Sequence, residues 1–130
     1  MNKEQTTIVV QLGGDPADPI WRWFLLNGPH GNSFSWSQTK NKPPGYTSLE
    51  HLREIVSEKT ENDISFPSHA RVIAQCAITS EDLDMIRRGI QILAVVGTKE
   101  DIKRIEPLIS HQASTISKDA KACLFVLKKT

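Results

Sequence analysis

The sequence lacks several features that would assign it to a common functional class. It has no hydrophobic run near the ~18 residues that a membrane span requires, and its first residues, MNKEQTTIVVQLGG, lack the apolar core of a secretory signal. Lys and Arg number 16 against 15 Asp and Glu. The net charge of +1 is too small to attract the whole chain to nucleic acid or anionic lipid. We therefore expect a cytoplasmic protein that does not bind membranes.

Cysteine and histidine are too few and too scattered to specify a metal or redox centre. Cys76 and Cys123 have no CxxC spacing and lie in apolar runs with helical spacing, which predicts buried thiols, with a disulfide as the open alternative. The histidines are isolated from one another in the sequence: His30, His51, His69 and His111. No HExxH, GxSxG, P-loop or dinucleotide-binding motif is present, so the sequence predicts no catalytic residue, no metal and no cofactor.

The length of 130 residues suits a single domain, because a chain of this size buries roughly two-thirds of the surface that it exposes when unfolded. The character of the sequence changes near residue 48. Residues 1–47 predict an irregular N-terminal cap and loop rich in tryptophan, and residues 48–130 predict consecutive helices. The predicted fold class is therefore all-α or mostly α.

Apolar residues at helical spacing define five predicted helices. They lie in YTSLEHLREIVSEKT, which begins at Thr47 or Ser48; SHARVIAQCAIT; TSEDLDMIRRGIQILAVVG, which Thr79 or Ser80 caps and Gly97 ends; KEDIKRIEPLIS, which Thr98 caps; and TISKDAKACLFVLKK. Pro107 should kink or end the fourth helix, because proline cannot donate a backbone hydrogen bond. The last helix is expected to turn five residues inward: Ile116, Ala120, Cys123, Leu124 and Leu127.

The N-terminal third has a different pattern. TTIVVQLGG is rich in β-branched residues and predicts a strand, whereas DPIWRWFLLNG starts and ends as a helix does, although the two runs also fit a hairpin. Trp21 and Trp23 are expected to be buried and to plug one end of the helical stack. The stretch from Gly28 to Tyr46 has no period, and in it Trp36 either anchors the loop or contacts a partner.

An internal similarity connects the last helices. Aligning Ile86 with Ile116, an offset of 116 − 86 = 30 residues, matches three further apolar positions: Ile90 with Ala120, Leu93 with Cys123 and Ala94 with Leu124. The stretch that contains them is IRRGIQILAVVGTKEDIKRIEPLI followed by ISKDAKACLFVLKK. With its Arg-Arg pair, its closing glycine and its proline, this stretch resembles a HEAT-like or armadillo-like repeat of the short phycobilisome-lyase type, clearest over residues 81–128 and looser over 48–78. Gly89 and Asp119 depart from that pattern. The resemblance implies stacked helical hairpins, one row of which docks a partner.

The expected function is a non-catalytic protein–protein interaction module, such as an adaptor, a regulatory subunit or a toxin-neutralising subunit, which acts alone or as a homodimer. The expected contact residues are Arg87, Arg88, Gln91, Lys103, Arg104 and Trp36. The alternative is nucleic-acid binding through the local basic patch of Arg87, Arg88, Lys103 and Arg104. Two further alternatives are a lyase-like chromophore chaperone, with a pocket lined by the N-terminal tryptophans, and an unrecognised enzyme.

Overall fold

The computed structural model of the chain describes residues 1–26 and 49–129, with only the backbone at residues 49–51. The α-helices in these ranges are α1 (Lys3–Gln11), α2 (Pro19–Leu26), α3 (Leu49–Asn62), α4 (Phe66–Ala77), α5 (Leu83–Val96), α6 (Ile102–Ile105) and α7 (Ser114–Lys128). Short 3-10 helices occupy Lys99–Asp101 and Glu106–Ser110. No strand occurs in the described ranges, which agrees with an all-α class. The predictions for Trp36, Thr47 and Ser48 lie outside these residues.

Helix α1 corrects the prediction of a strand over TTIVVQLGG. Asn2 caps the helix by accepting a hydrogen bond from the Gln5 backbone, and the Gln5 side chain accepts one from the Asn2 backbone. This reciprocal cap satisfies two backbone donors, and the hydroxyl groups of Thr6 and Thr7 bond back to carbonyls of the preceding turn. The β-branched composition is a weak preference that these local bonds override. Helix α2 lies where DPIWRWFLLNG indicates a helix, so residues 1–26 carry two helices.

Helix α5 begins later than the sequence suggested. Its cap is Asp82, not Thr79 or Ser80, because Asp82 has an extended backbone and its carboxylate accepts a hydrogen bond from the Met85 backbone at 2.9 Å. The Ser80 hydroxyl instead accepts from the Asp82 backbone in the preceding turn. The predicted stop at Gly97 is confirmed. A Cβ atom at Gly97 would overlap the carbonyl oxygen of Leu93, so only glycine allows this exit from the helix.

The predicted cap at Thr98 and the effect of Pro107 are both confirmed. Thr98 forms a capping box with Asp101, and the α-helical part of the next segment ends at Ile105, just before the 3-10 turn that contains Pro107. Each of the five residues predicted to face inward on α7 is buried: Ile116, Ala120, Cys123, Leu124 and Leu127. The apolar spacing of the last helix therefore predicted its buried face correctly.

The core is organised around α5, which packs against α4, α7 and α3. Gly89 lies where α4 approaches closely, since a Cβ atom there would sit 2.7 Å from the Cγ2 atom of Ile78 and 2.9 Å from the Ala74 carbonyl oxygen. Helix α2 packs on α4, and Trp21 and Trp23 are buried as expected. No helix in the described ranges is both long and apolar enough to cross a membrane.

Candidate functional site

Two of the predicted contact residues, Arg87 and Gln91, lie in the interior. Their exposed fractions are 6% and 1%, so the expectation that they face outward is wrong. The reason is the central position of α5, which is covered by helices on several sides and has little outer face. These two residues are therefore removed from the candidate contact surface.

Arg87 instead joins α5 to α7. Its Nε atom donates a hydrogen bond of 2.9 Å to Oδ2 of Asp119, and both side chains are almost fully buried. A buried guanidinium group is tolerated only beside a compensating charge, which Asp119 supplies. Asp119, a departure from the HEAT-like pattern, thus serves as the partner of an interior arginine.

Gln91 and Arg88, which lie near Arg87 on α5, have buried polar atoms without hydrogen-bond partners among the described residues. Among the described residues, neither amide atom of Gln91 has a hydrogen-bond partner, and the same holds for Nε of Arg88. Burial lowers the pKa of the half-buried Arg88, while the carboxylates of Asp84 and Asp82 oppose that shift. Arg88 is therefore less available to a partner than its place in the sequence suggested.

Lys103 and Arg104 are exposed on α6, as predicted. Arg104 is partly occupied, because its Nη1 atom lies 3.2 Å from Oδ1 of Asp101. Of the described members of the predicted set, only Lys103 is exposed and has no ion-pair partner among the described residues. The sequence-derived basic patch is thus reduced to a small part of α6.

A buried carboxylate that the sequence did not single out binds α4 to the segment after α5. Asp101 is fully buried and accepts hydrogen bonds from Nε of Arg71 at 2.8 Å, from Nε2 of Gln75 at 2.8 Å and from the Thr98 backbone at 2.9 Å. Arg71 also reaches the Thr98 hydroxyl at 3.1 Å. We call Arg71, Gln75, Thr98 and Asp101 the Asp101 network.

The electrostatics of the Asp101 network favour the charged pair. Burial alone would raise the pKa of the Asp101 carboxyl group, but the hydrogen bonds from Arg71, Thr98 and Gln75 hold it below its ordinary value. The hydrogen bond to Asp101 in turn raises the pKa of Arg71. Asp101 thus accepts hydrogen bonds from the members of its network and from Nη1 of Arg104, an arrangement typical of a structural junction.

The buried or paired groups also leave few candidates for catalysis. Both cysteines are free thiols, and burial raises the pKa of Cys123 to about 12, which keeps it protonated and unreactive. His69 lies 3.6 Å from the Asp18 carboxylate, with both side chains substantially exposed. Within residues 1–26 and 49–129, no group of three His, Cys, Asp or Glu residues is arranged to hold a metal ion.

An open groove lies between α3, the start of α4 and the end of α5. Its volume is about 780 Å³, and its lining combines apolar side chains with a few polar ones: Arg53, Val56, Ser57, Thr60, Glu61, Ile64, Pro67, Val95 and Val96. Ile64 is 90% exposed, the highest exposed fraction among the large apolar residues that the structure describes. We call this feature the Ile64 groove.

A smaller cleft of about 470 Å³ lies between α2 and the junction of α3 with α4. Trp23 and Phe66 form its base, with ring centroids 4.8 Å apart in an edge-to-face arrangement, and Asp18, Lys59 and His69 lie at its margin. Trp23 is 9% exposed, so the aromatic surface offered to a ligand is small. Trp21 does not line this cleft but packs against Phe24, with ring centroids 5.5 Å apart.

Comparison with known proteins gives no match to this chain among protein-family models, curated proteins or solved structures. The resemblance to HEAT-like repeats therefore stays a prediction, and the function must be argued from the described surfaces alone.

Proposed function

We propose that this protein is a non-catalytic module that binds another protein through the Ile64 groove. The observation that carries the proposal is the exposure of Ile64 beside the half-buried Val95 and Val96. Exposed apolar side chains that line a concave surface with a polar margin are typical of protein-binding sites.

The chemistry of the groove suits a polypeptide segment with one or two large apolar side chains. Val56, Pro67 and Val96 form apolar walls, while Arg53 and Glu61 supply one charge of each sign. A mixed margin of this kind pairs with polar groups of a peptide and does not select a strongly charged ligand. Stacked HEAT-like hairpins, which the sequence resembles, would present such a surface along a row of helices.

Site-specific photo-crosslinking tests this proposal. A photoreactive phenylalanine analogue replaces Ile64, and a matched variant carries it at the exposed Lys99, which does not line the groove. We expect one protein to be crosslinked from position 64 in cells and not from position 99. A crosslink to a second copy of this chain would identify the homodimer as the bound form. Equal crosslinking from both positions, or none from position 64, would contradict the proposal.

A further inference from the structure

We infer that the outer face of α7 is a second interaction surface, which binds an acidic protein segment. Four lysines and one phenylalanine occupy this face: Lys118, Lys121, Phe125, Lys128 and Lys129. All five are exposed, and we call them the α7 lysine face. It shares no residue with the Ile64 groove, so the inference is independent of the proposed function.

The α7 lysine face concentrates positive charge on one side of the helix. The only acidic residue of α7, Asp119, is buried on the opposite side and pairs with Arg87. None of the four lysines has an ion-pair partner among the described residues. From Lys118 to Lys129 the helix rises by roughly 16 Å, so the charges form a compact row. A surface of this kind favours a partner with several carboxylates at matching spacing.

Phe125 gives the row an apolar centre. It is 62% exposed, and the ammonium group of Lys129 lies 4.2 Å from its ring centroid. This cation–π contact covers one face of the ring, while most of the residue stays exposed. An aromatic residue surrounded by charged side chains has the anatomy of a protein-binding hot spot, in which a rim excludes water from a central contact.

The same features argue against other anionic partners. Single-stranded nucleic acid is bound by several aromatic rings that stack successive bases, and α7 offers one ring, already covered in part by Lys129. Insertion into anionic lipid requires a broad apolar face, and the outer side of α7 has a single large apolar residue, Phe125. An acidic segment with an apolar side chain between its carboxylates satisfies both the lysines and the ring.

Fluorescence anisotropy with defined probes tests the inference. The first probe is a peptide of alternating glutamate and leucine, and the second replaces each leucine by serine at the same charge. An oligothymidylate of equal net charge and phosphatidylserine vesicles represent nucleic acid and membrane. We expect the Glu-Leu peptide to bind more tightly than the other three probes, because it alone supplies both carboxylates and apolar side chains.

Two variants and a matched control assign the binding to α7. K118E combined with K121E should weaken binding of the Glu-Leu peptide at least about tenfold, because it reverses the charge of two of the four lysines on this face. The control, K3E combined with K99E, makes the same change in net charge at exposed positions on other elements and should leave affinity unchanged. The F125A variant, which retains all four lysines, should bind the Glu-Leu peptide and the peptide with serine equally well.

Several results would overturn the inference. One is tighter binding of oligothymidylate or vesicles than of the Glu-Leu peptide, which would assign the face to nucleic acid or membrane. Others are equal loss of binding in K118E/K121E and K3E/K99E, or no binding of the peptide at all. If the double charge reversal prevents folding, the F125A variant tests the inference instead, since it changes one exposed side chain and leaves the charge intact. An unchanged preference for the leucine peptide in F125A would then overturn it.

Discussion

The stability of the junction between α4 and the segment after α5 depends on a few buried polar residues. Asp101 has no contact with solvent, yet its carboxylate is surrounded by donors from Arg71, Gln75 and the Thr98 backbone. Burial of such a carboxylate costs little free energy while its oxygen atoms accept hydrogen bonds from all of these donors. The cost becomes large once one donor is removed. Gln91 shows the opposite situation, since its buried amide lacks a partner among the described residues.

Replacement of Asp101 by asparagine should therefore destabilise the protein by about 2 kcal/mol or more, because the amide keeps the shape but removes the charge and one acceptor. Urea denaturation followed by circular dichroism measures the change. The matched control is Glu100→Gln. The Glu100 side chain is 82% exposed and its contact with Arg71 is long, at 3.4 Å, so we expect a loss of stability below about 0.5 kcal/mol. Equal effects of the two substitutions would show that the Asp101 network is not a stabilising junction.

The same residue predicts a pH dependence. The pKa of Asp101 is lower in the folded chain than in the unfolded chain, so its contribution is present above the unfolded value of about 3.9 and is lost as the pH falls through the folded pKa. The difference in unfolding free energy between wild type and Asp101→Asn should thus shrink below about pH 4. A difference that stays constant on acidification would contradict this assignment.

At the scale of elements, close packing between α4 and α5 determines which residues are allowed at their contact. In the interior of a helix, alanine is more favourable than glycine by about 0.8–1 kcal/mol. Glycine is nevertheless required at Gly89, because the backbone of α4 at Ala74 and the side chain of Ile78 leave no room for a Cβ atom. Packing therefore outweighs local helix propensity at this position.

Gly89→Ala should destabilise the protein by about 1–3 kcal/mol despite the gain in helix propensity. Thermal and urea unfolding measure the sign and size of the change. In an Ile78→Ala background the cost should be smaller, because one of the two clashing groups has been removed, whereas the Ala74 carbonyl remains. An increase in stability on Gly89→Ala would mean that α4 and α5 are farther apart than described.

The elements also show what the sequence can and cannot predict. The buried face of α7, the cap at Thr98 and the break before Pro107 were predictable because each depends on residues within a few positions of one another. The helical state of α1 was missed because β-branched composition concealed a cap at Asn2.

The candidate sites were harder to predict than the helices. The pairs Arg71–Asp101 and Arg87–Asp119 join residues that lie far apart in the sequence, and no local pattern reveals them. For the same reason, the spacing of Arg87 and Gln91 could not show that α5 is covered on several sides. The Ile64 groove carried no signal either, since residues of α3, α4 and α5 that are far apart in the sequence line it together.

At the scale of the whole molecule, opposite charges nearly cancel, with 16 basic and 15 acidic residues, so long-range attraction contributes little to partner choice. Recognition must then depend on local surfaces. The two surfaces proposed to bind partners differ in kind: the Ile64 groove is apolar with a mixed margin, and the α7 lysine face is basic with one aromatic residue. We expect the groove to supply most of the salt-independent affinity.

The central claim, that this chain is a protein-binding module, is tested most directly by affinity capture from the lysate of its own cells. Capture is performed with and without nuclease, at low and at high salt, using wild type, Ile64→Asp and the control Val72→Asp, which alters an exposed apolar residue outside the groove. We predict that wild type and Val72→Asp retain one protein in near-equal amount at both salt concentrations, and that Ile64→Asp loses it. Recovery of only nuclease-sensitive, salt-labile material by all three forms would contradict the account.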